Sequence, residues 1–115
     1  MFKINITENA EKDILENALY IKGVLHAETA ANSLVDEFYK SIQKLSDNPQ
    51  HFPLVNNDLL KPYGIRYLQV KNYTVFFNIE IENKQVFILR FIYSRRNWNV
   101  LLGDEFLTTG STWFG

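Results

Sequence analysis

Residues 65–93 read IRYLQVKNYTVFFNIEIENKQVFILRFIY, and this stretch decides the fold. It divides into three strand-like segments, Ile65–Val70, Tyr73–Ile81 and Val86–Tyr93, separated by Lys71-Asn72 and Glu82-Asn83-Lys84. Breaks of two and three residues between alternating segments are the lengths that antiparallel hairpins use. In the middle segment Val75, Phe77, Ile79 and Ile81 share one face, and Thr74, Phe76, Asn78 and Glu80 the other, so this strand is expected to be half-buried. Val86-Phe87-Ile88-Leu89 is apolar on both faces, which predicts a central position for the last strand. The sheet has to be covered, and the residues upstream supply the cover.

Working back toward the N-terminus, Phe2–Ile6 alternates and predicts a short strand with Phe2, Ile4 and Ile6 on one face. Thr7 is the expected N-cap of a helix running to about Lys22, acidic in its first turns and stopped by Gly23. Its inward stripe is expected to be Ala10, Ile14, Leu15, Ala18 and Ile21. A second helix spans about Ala27 to Leu45, with Ala30, Ala31, Leu34, Val35, Phe38, Ile42 and Leu45 on one buried face. The break between the helices is short enough to predict a helical hairpin. Residues 46–63 hold all three prolines and lack periodicity, and loops of that length tend to be functional. After Tyr93, Asn97 could cap a short helical turn from Trp98 to Leu102. The expected architecture is therefore α+β: a helical hairpin packed on a three- to four-stranded antiparallel sheet, in the order β-α-α-β-β-β.

The chain has 115 residues, room for one domain only, expected to span residues 1–102 with a tail at 103–115. Nine Phe, six Tyr and two Trp predict a ring-rich core. Without cysteine there is no disulfide, no thiolate metal site and no Cys nucleophile. No apolar run reaches the length of a membrane span, and the first residues lack the apolar stretch of a secretory signal, so a soluble cytoplasmic protein with no membrane partner is expected. His26 and His51 stand far apart, the five glycines form no phosphate loop, and no nucleophile-elbow signature occurs. Neither metal nor cofactor is expected.

The net charge of −1 hides an asymmetry. Residues 1–60 carry five Lys against nine Asp and Glu, whereas residues 61–96 carry seven Lys and Arg against Glu80 and Glu82 alone. A basic segment of this kind fits either a solvated sheet face or an anionic partner. Lys61, Arg66, Lys71, Tyr93, Arg95, Arg96 and Trp98 are its candidate functional residues. A hydroxyl, an ammonium and several guanidinium groups suit a phosphodiester, because Arg binds phosphate in a fork and cations stabilise charge developing on phosphorus. Arg90, in mid-strand among apolar residues, is expected to be a structural ion-pair partner, and Trp98 suits the core as well as a binding surface. Tyr93 at a strand end is open to both packing and function.

The order and spacing of these pieces resemble the RelE/ParE superfamily of bacterial toxins, the toxin halves of type II toxin–antitoxin pairs. The resemblance runs from the opening strand into TENAEKDILE, through the helix AANSLVDEFYKSIQKLSDNP, to GIRYLQVKNYTVFFNIE and ILRFIYSRRNW. It implies a cytoplasmic growth inhibitor held in a hetero-oligomeric complex by a cognate antitoxin. The activity expected first is ribosome-dependent mRNA cleavage, as in RelE-like members, because Lys61, Arg66, Tyr93, Arg95 and Arg96 are present; the alternatives are poisoning of DNA gyrase without nuclease activity, as in ParE-like members, or a degenerate toxin that only binds antitoxin. Only the first would make the chain an enzyme, an endoribonuclease. In that branch Lys61 falls in the basic loop, Arg66 matches a Gly-x-Arg position, and Tyr93 lies where a proton-transferring His or Tyr is found. Arg95 and Arg96 would lower the pKa of that phenol, with Arg96 near the reacting phosphate and Arg95, Lys71 and Trp98 in RNA or partner binding. The departure is Thr74: the resembling strand usually reads Tyr-Arg-Val-Phe-Tyr, and its Arg is a catalytic cation in the nuclease branch.

Overall fold

The computed structural model describes residues 1–94. The helical turn expected at Trp98–Leu102 and the tail at 103–115 lie outside the described residues. Four strands form one sheet: β1 (Lys3–Ile6), β2 (Arg66–Val70), β3 (Tyr73–Glu80) and β4 (Gln85–Tyr93). Helices α1 (Glu8–Gly23) and α2 (Glu28–Gln43) form the hairpin that covers one side. The sheet order is β1-β4-β3-β2, so β4 is internal as its two apolar faces require.

The β2–β3 and β3–β4 pairs are antiparallel, but β1 runs parallel to β4, which makes the sheet mixed rather than wholly antiparallel. The helical hairpin carries the chain away from β1, and β4 returns beside it much later. Lys3 lies opposite Gln85 and Ile6 opposite Ile88. Thr7 fastens that junction. Its hydroxyl donates to the Ile88 carbonyl at 2.7 Å and accepts from the Ala10 N–H, so one side chain caps α1 and ties it to β4.

A bulge separates Phe76, which faces Arg90, from Phe77, which faces Ile88, and Leu89 is the extra residue. It shifts the alternation so that Ile88 and Phe91, three apart, both face the helices. There they meet Ile14, Leu34, Phe38, Ile42, Val75 and Phe77 in the larger core cluster. The bulge also aims Arg90 at α1, where its Nε and Nη2 donate to the two Asp13 carboxylate oxygens at 2.7 and 2.9 Å. The Phe91 N–H adds a third bond to Asp13 at 2.9 Å. Arg90 is thus the structural ion-pair partner expected of it.

Two details of α1 differ from expectation. Leu15 is 58% exposed, and the fully buried positions are Ala10, Asp13 and Ile14, with Ile21 packed at the core's margin, because the Arg90 pairing turns Asp13 inward. The helix also takes in Gly23 and ends at Val24, and His26 adopts the left-handed turn conformation at φ 52°. α2 gives way to a 3₁₀ turn at Lys44–Ser46, which holds Leu45 in the core. The proline-rich loop is more ordered than its lack of periodicity suggested. It contains 3₁₀ turns at Pro49–His51 and Lys61–Tyr63, and Leu54 bridges antiparallel to Arg66. This loop lays Val55, Leu60 and Ile65 over Phe76, Leu89 and Ile92 on the side of the sheet away from the helices.

Candidate functional site

The two-residue turn at Lys71-Asn72 sets the β2–β3 register, and the register decides which basic residues can meet. Arg66 lies opposite Phe77, and Tyr93 opposite Tyr73. Four strand positions and two strand spacings therefore separate Arg66 from Tyr93, roughly 13 Å along the sheet and about 10 Å across it. Both face the helix side, as Phe77 and Tyr73 do, whereas Thr74 faces the other. These expected site residues are not gathered on one rim: the basic segment is continuous in sequence, but pleating and register distribute it.

Two of the expected cations, Arg66 and Lys71, have partners within the fold. Arg66 is half-buried, and its Nη1 donates to the Phe52 carbonyl at 2.6 Å and to the Gln50 carbonyl at 3.4 Å. It thereby holds the proline loop against the start of β2. Lys71 occupies a left-handed turn position at φ 53° and donates from Nζ to the Ser33 hydroxyl on α2 at 2.8 Å. Lys61 is exposed on its 3₁₀ turn. Arg95, Arg96 and Trp98 lie outside the described residues.

Two concavities flank the end of β4. The smaller, about 300 Å³, opens on the loop-covered side and is lined by Val55, Asn56, Tyr67, Gln69, Thr74, Phe76 and Ser94. Its floor is a ring of uncharged groups. The Gln69 side-chain Nε2 donates to the Ser94 hydroxyl at 2.7 Å, the Thr74 and Ser94 hydroxyls are 2.9 Å apart, and the Thr74 hydroxyl donates to Gln69 Oε1 at 3.2 Å. Thr74 is 6% exposed, so these bonds satisfy a buried hydroxyl. None of the described residues lining this cleft carries a formal charge. The cleft can exchange hydrogen bonds with a neutral polar group, and its described lining residues offer no cation for a pentacoordinate phosphorus.

Gln69 and Ser94 join the functional candidates through this ring, although neither carries a charge that marks it in the sequence. A signal for Gln69 existed: the short turn at Lys71-Asn72 places it opposite Thr74.

The larger concavity, about 890 Å³, lies on the helix side between the hairpin tip and the ends of β3 and β4. Leu25, Ala27, Ala30, Leu34, Tyr73 and Tyr93 give it mainly apolar walls. Tyr73 stacks on Phe91 with ring centres 4.9 Å apart and meets Tyr93 edge-on at 5.5 Å. Burial raises the Tyr73 pKa above 10, with smaller contributions from the neighbouring phenols of Tyr93 and Tyr20. Among the described residues no cluster of His, Asp or Glu suited to a metal ion occurs, and no helix is long and apolar enough to cross a membrane.

Comparison with known proteins connects this geometry to a family. The family model described as the ParE toxin of the type II toxin–antitoxin system parDE matches residues 4–98. Among solved structures, the chain is similar to one from the chromosomal ParDE system of P. aeruginosa, with 18% identity and a TM-score of 0.66 over 81% of this chain and 96% of that one. It is also similar to one from the RelBE2 toxin–antitoxin complex of Mycobacterium tuberculosis, with 17% identity and a TM-score of 0.55 over 80% of this chain and 96% of that one. At these identities the two likenesses show a shared fold. No curated protein sequence matches the chain.

Proposed function

From the premise that the chain belongs to the ParE toxin family of type II toxin–antitoxin systems, we propose that it arrests growth by binding DNA gyrase, not by cutting mRNA. A cognate antitoxin neutralises it in a hetero-oligomeric complex. The observation that carries this reading is Thr74. Where the nuclease branch of the superfamily has a catalytic Arg, this chain has a buried hydroxyl bonded to Gln69 and Ser94. Cleavage through the RNA 2′-hydroxyl needs a base, an acid and cations on the phosphorane, and losing one such stabiliser costs on the order of 10²–10³ in rate. The other candidate cation on the sheet, Arg66, is engaged with loop carbonyls and lies far from Tyr93.

A binding toxin needs a surface, not a reaction centre. Lys61, Arg95, Arg96 and Trp98 are then target-contacting residues, and Tyr93 is a wall of the helix-side groove. The antitoxin reading draws support from the two similar structures, whose descriptions name toxin–antitoxin systems.

Purified protein, tested in parallel against gyrase with supercoiled plasmid and in a translating extract with primer-extension mapping, checks this. Stabilised gyrase–DNA cleavage complexes with intact mRNA are the expected outcome. Ribosome-dependent cuts that vanish in Arg96→Ala or Tyr93→Phe would restore the nuclease reading, with Lys61, Arg66, Tyr93 and Arg96 as its catalytic groups.

A further inference from the structure

The outer face of the helical hairpin carries apolar side chains where a solvated helix would be polar. Leu15 and Leu19 stand four residues apart on α1, on the side opposite the buried Ala10, Asp13 and Ile14, and are 58% and 57% exposed. Tyr39, 45% exposed, extends this strip onto α2. It lies three turns from Glu28 on the same side of that helix, and Glu28 meets Lys22 of α1 at 3.7 Å. Single exposed leucines are ordinary, but a strip rimmed by charges, here Glu8, Glu11, Lys12, Glu16 and Lys22, has the anatomy of an interface. We propose that a second copy of the chain docks on this face, its α1 antiparallel to the first across a twofold axis at Leu15.

Two observations select a second copy. The first is charge. α1 is acidic in its first turn, at Glu8 and Glu11, and basic in its last, at Lys22. Glu8 and Lys22 lie seven residues before and seven after Leu15, so about that axis Glu8 faces Lys22 of the second copy, and the pair occurs twice. The Lys22 side chain is 59% exposed beside Glu28, which leaves its ammonium open to a second carboxylate. The antiparallel arrangement also sets opposite ends of the two helix dipoles side by side. A parallel arrangement would place Glu8 on Glu8 and Lys22 on Lys22. The second observation is area. The 16 residues of α1 are about 24 Å long, and a hairpin two helices wide covers about 20 Å, on the order of 500 Å² for each chain. The total, on the order of 1,000 Å², reaches the lower limit for specific association and fits an affinity in the micromolar range. Leu15 meets its own copy on the axis, and Leu19 flanks it.

Sedimentation velocity on the purified full-length chain tests this. The average mass is expected to climb from one chain toward two between about 1 and about 300 µM. Leu19→Glu puts a charge into the strip at an exposed position and should raise the dimer Kd by more than about tenfold. Ile81→Ser, exposed at the far β3–β4 turn, should leave it unchanged. Glu8→Lys alone and Lys22→Glu alone should each weaken self-association by about tenfold, because each sets like charges across the axis. Mixed in equal amounts, these two variants should associate as tightly as the parent, since both pairs of the mixed dimer are again opposite in sign. Far-UV circular dichroism verifies the fold of each variant. A chain that stays monomeric throughout that concentration range overturns the proposal and leaves the face to a different protein. Self-association that Leu19→Glu leaves unchanged in folded protein, or a mixture that fails to recover it, puts the contact elsewhere and overturns the proposal too. The measurement uses this chain alone, so it stands or falls independently of any action on gyrase.

Discussion

The two sides of the sheet are sealed by different kinds of cover. On one side lie two helices, whose backbones satisfy their own hydrogen bonds, so the contact can be almost wholly apolar: Ala10, Ile14, Leu34, Phe38 and Ile42 against Val75, Phe77, Ile88 and Phe91. On the other side lies a loop, whose backbone must find donors and acceptors elsewhere. There the Asn57 side chain accepts from the Leu59 and Leu60 N–H groups and Val55 pairs with Ile65, while Arg66 reaches from the helix side of β2 to the carbonyls of Gln50 and Phe52, where the loop begins. Polar side chains that look like chemistry in the sequence can be recruited to satisfy a loop. Arg66 is the instance here.

The difference should be measurable as stability. Phe38, fully buried beneath the hairpin, packs edge-on against Phe91 at 5.0 Å, and Phe38→Ala is expected to cost about 3–5 kcal/mol in urea unfolding. Leu60→Ala, equally buried but on a short turn that can relax into the space, should cost less, about 2–3 kcal/mol. Equal losses would mean that the loop is packed as rigidly as the helices. Asp13→Ala removes a carboxylate that accepts three bonds, two from Arg90 and one from Phe91, and should cost about 3 kcal/mol. Combining Asp13→Leu with Arg90→Met should recover most of that loss, because it removes both charges together. Arg66→Met keeps the apolar stem and loses the bonds to the loop. About 1–2 kcal/mol and faster proteolysis within residues 49–63 are expected, with little change at the hairpin.

The elements were legible in the sequence wherever one face is apolar. Period-two alternation marked β3, three- and four-residue spacing marked α2, and Thr7 announced the start of α1. The parallel β1–β4 pair was not legible, because Ile4 and Val86 meet through the whole path of the chain and no local pattern encodes that. Leu15 misled because any leucine on a helix fits an apolar stripe, while the residue that rotates inward is Asp13, drawn by an arginine on the last strand. The candidate site was legible as composition only. Arg66 and Tyr93 belong to one basic segment of sequence, yet the register places them four strand positions apart. Thr74 was readable as a departure, but its meaning depends on Gln69 and Ser94, which lie on two other stretches of chain.

The smallest effect should come from Tyr73, at the meeting of the helix side with the groove. Its phenol is neutral when protonated, and burial raises its folded-state pKa above the value near 10 that it has in the unfolded chain. Between those two values the folded protein holds a proton that the unfolded chain has released, so stability falls as pH rises. The contribution is fully present below pH 10 and is lost through the folded-state pKa above it. Tyr73→Phe removes the titrating group while keeping the ring that stacks on Phe91. Urea midpoints measured from pH 8 to pH 11 should therefore fall less steeply above pH 10 in Tyr73→Phe than in the parent, and the two should coincide in slope at pH 8. If Tyr73→Phe and the parent decline together, the phenol is as well solvated in the fold as in the unfolded chain. The groove side would then be wetter than the stacked rings of Tyr73 and Phe91 indicate.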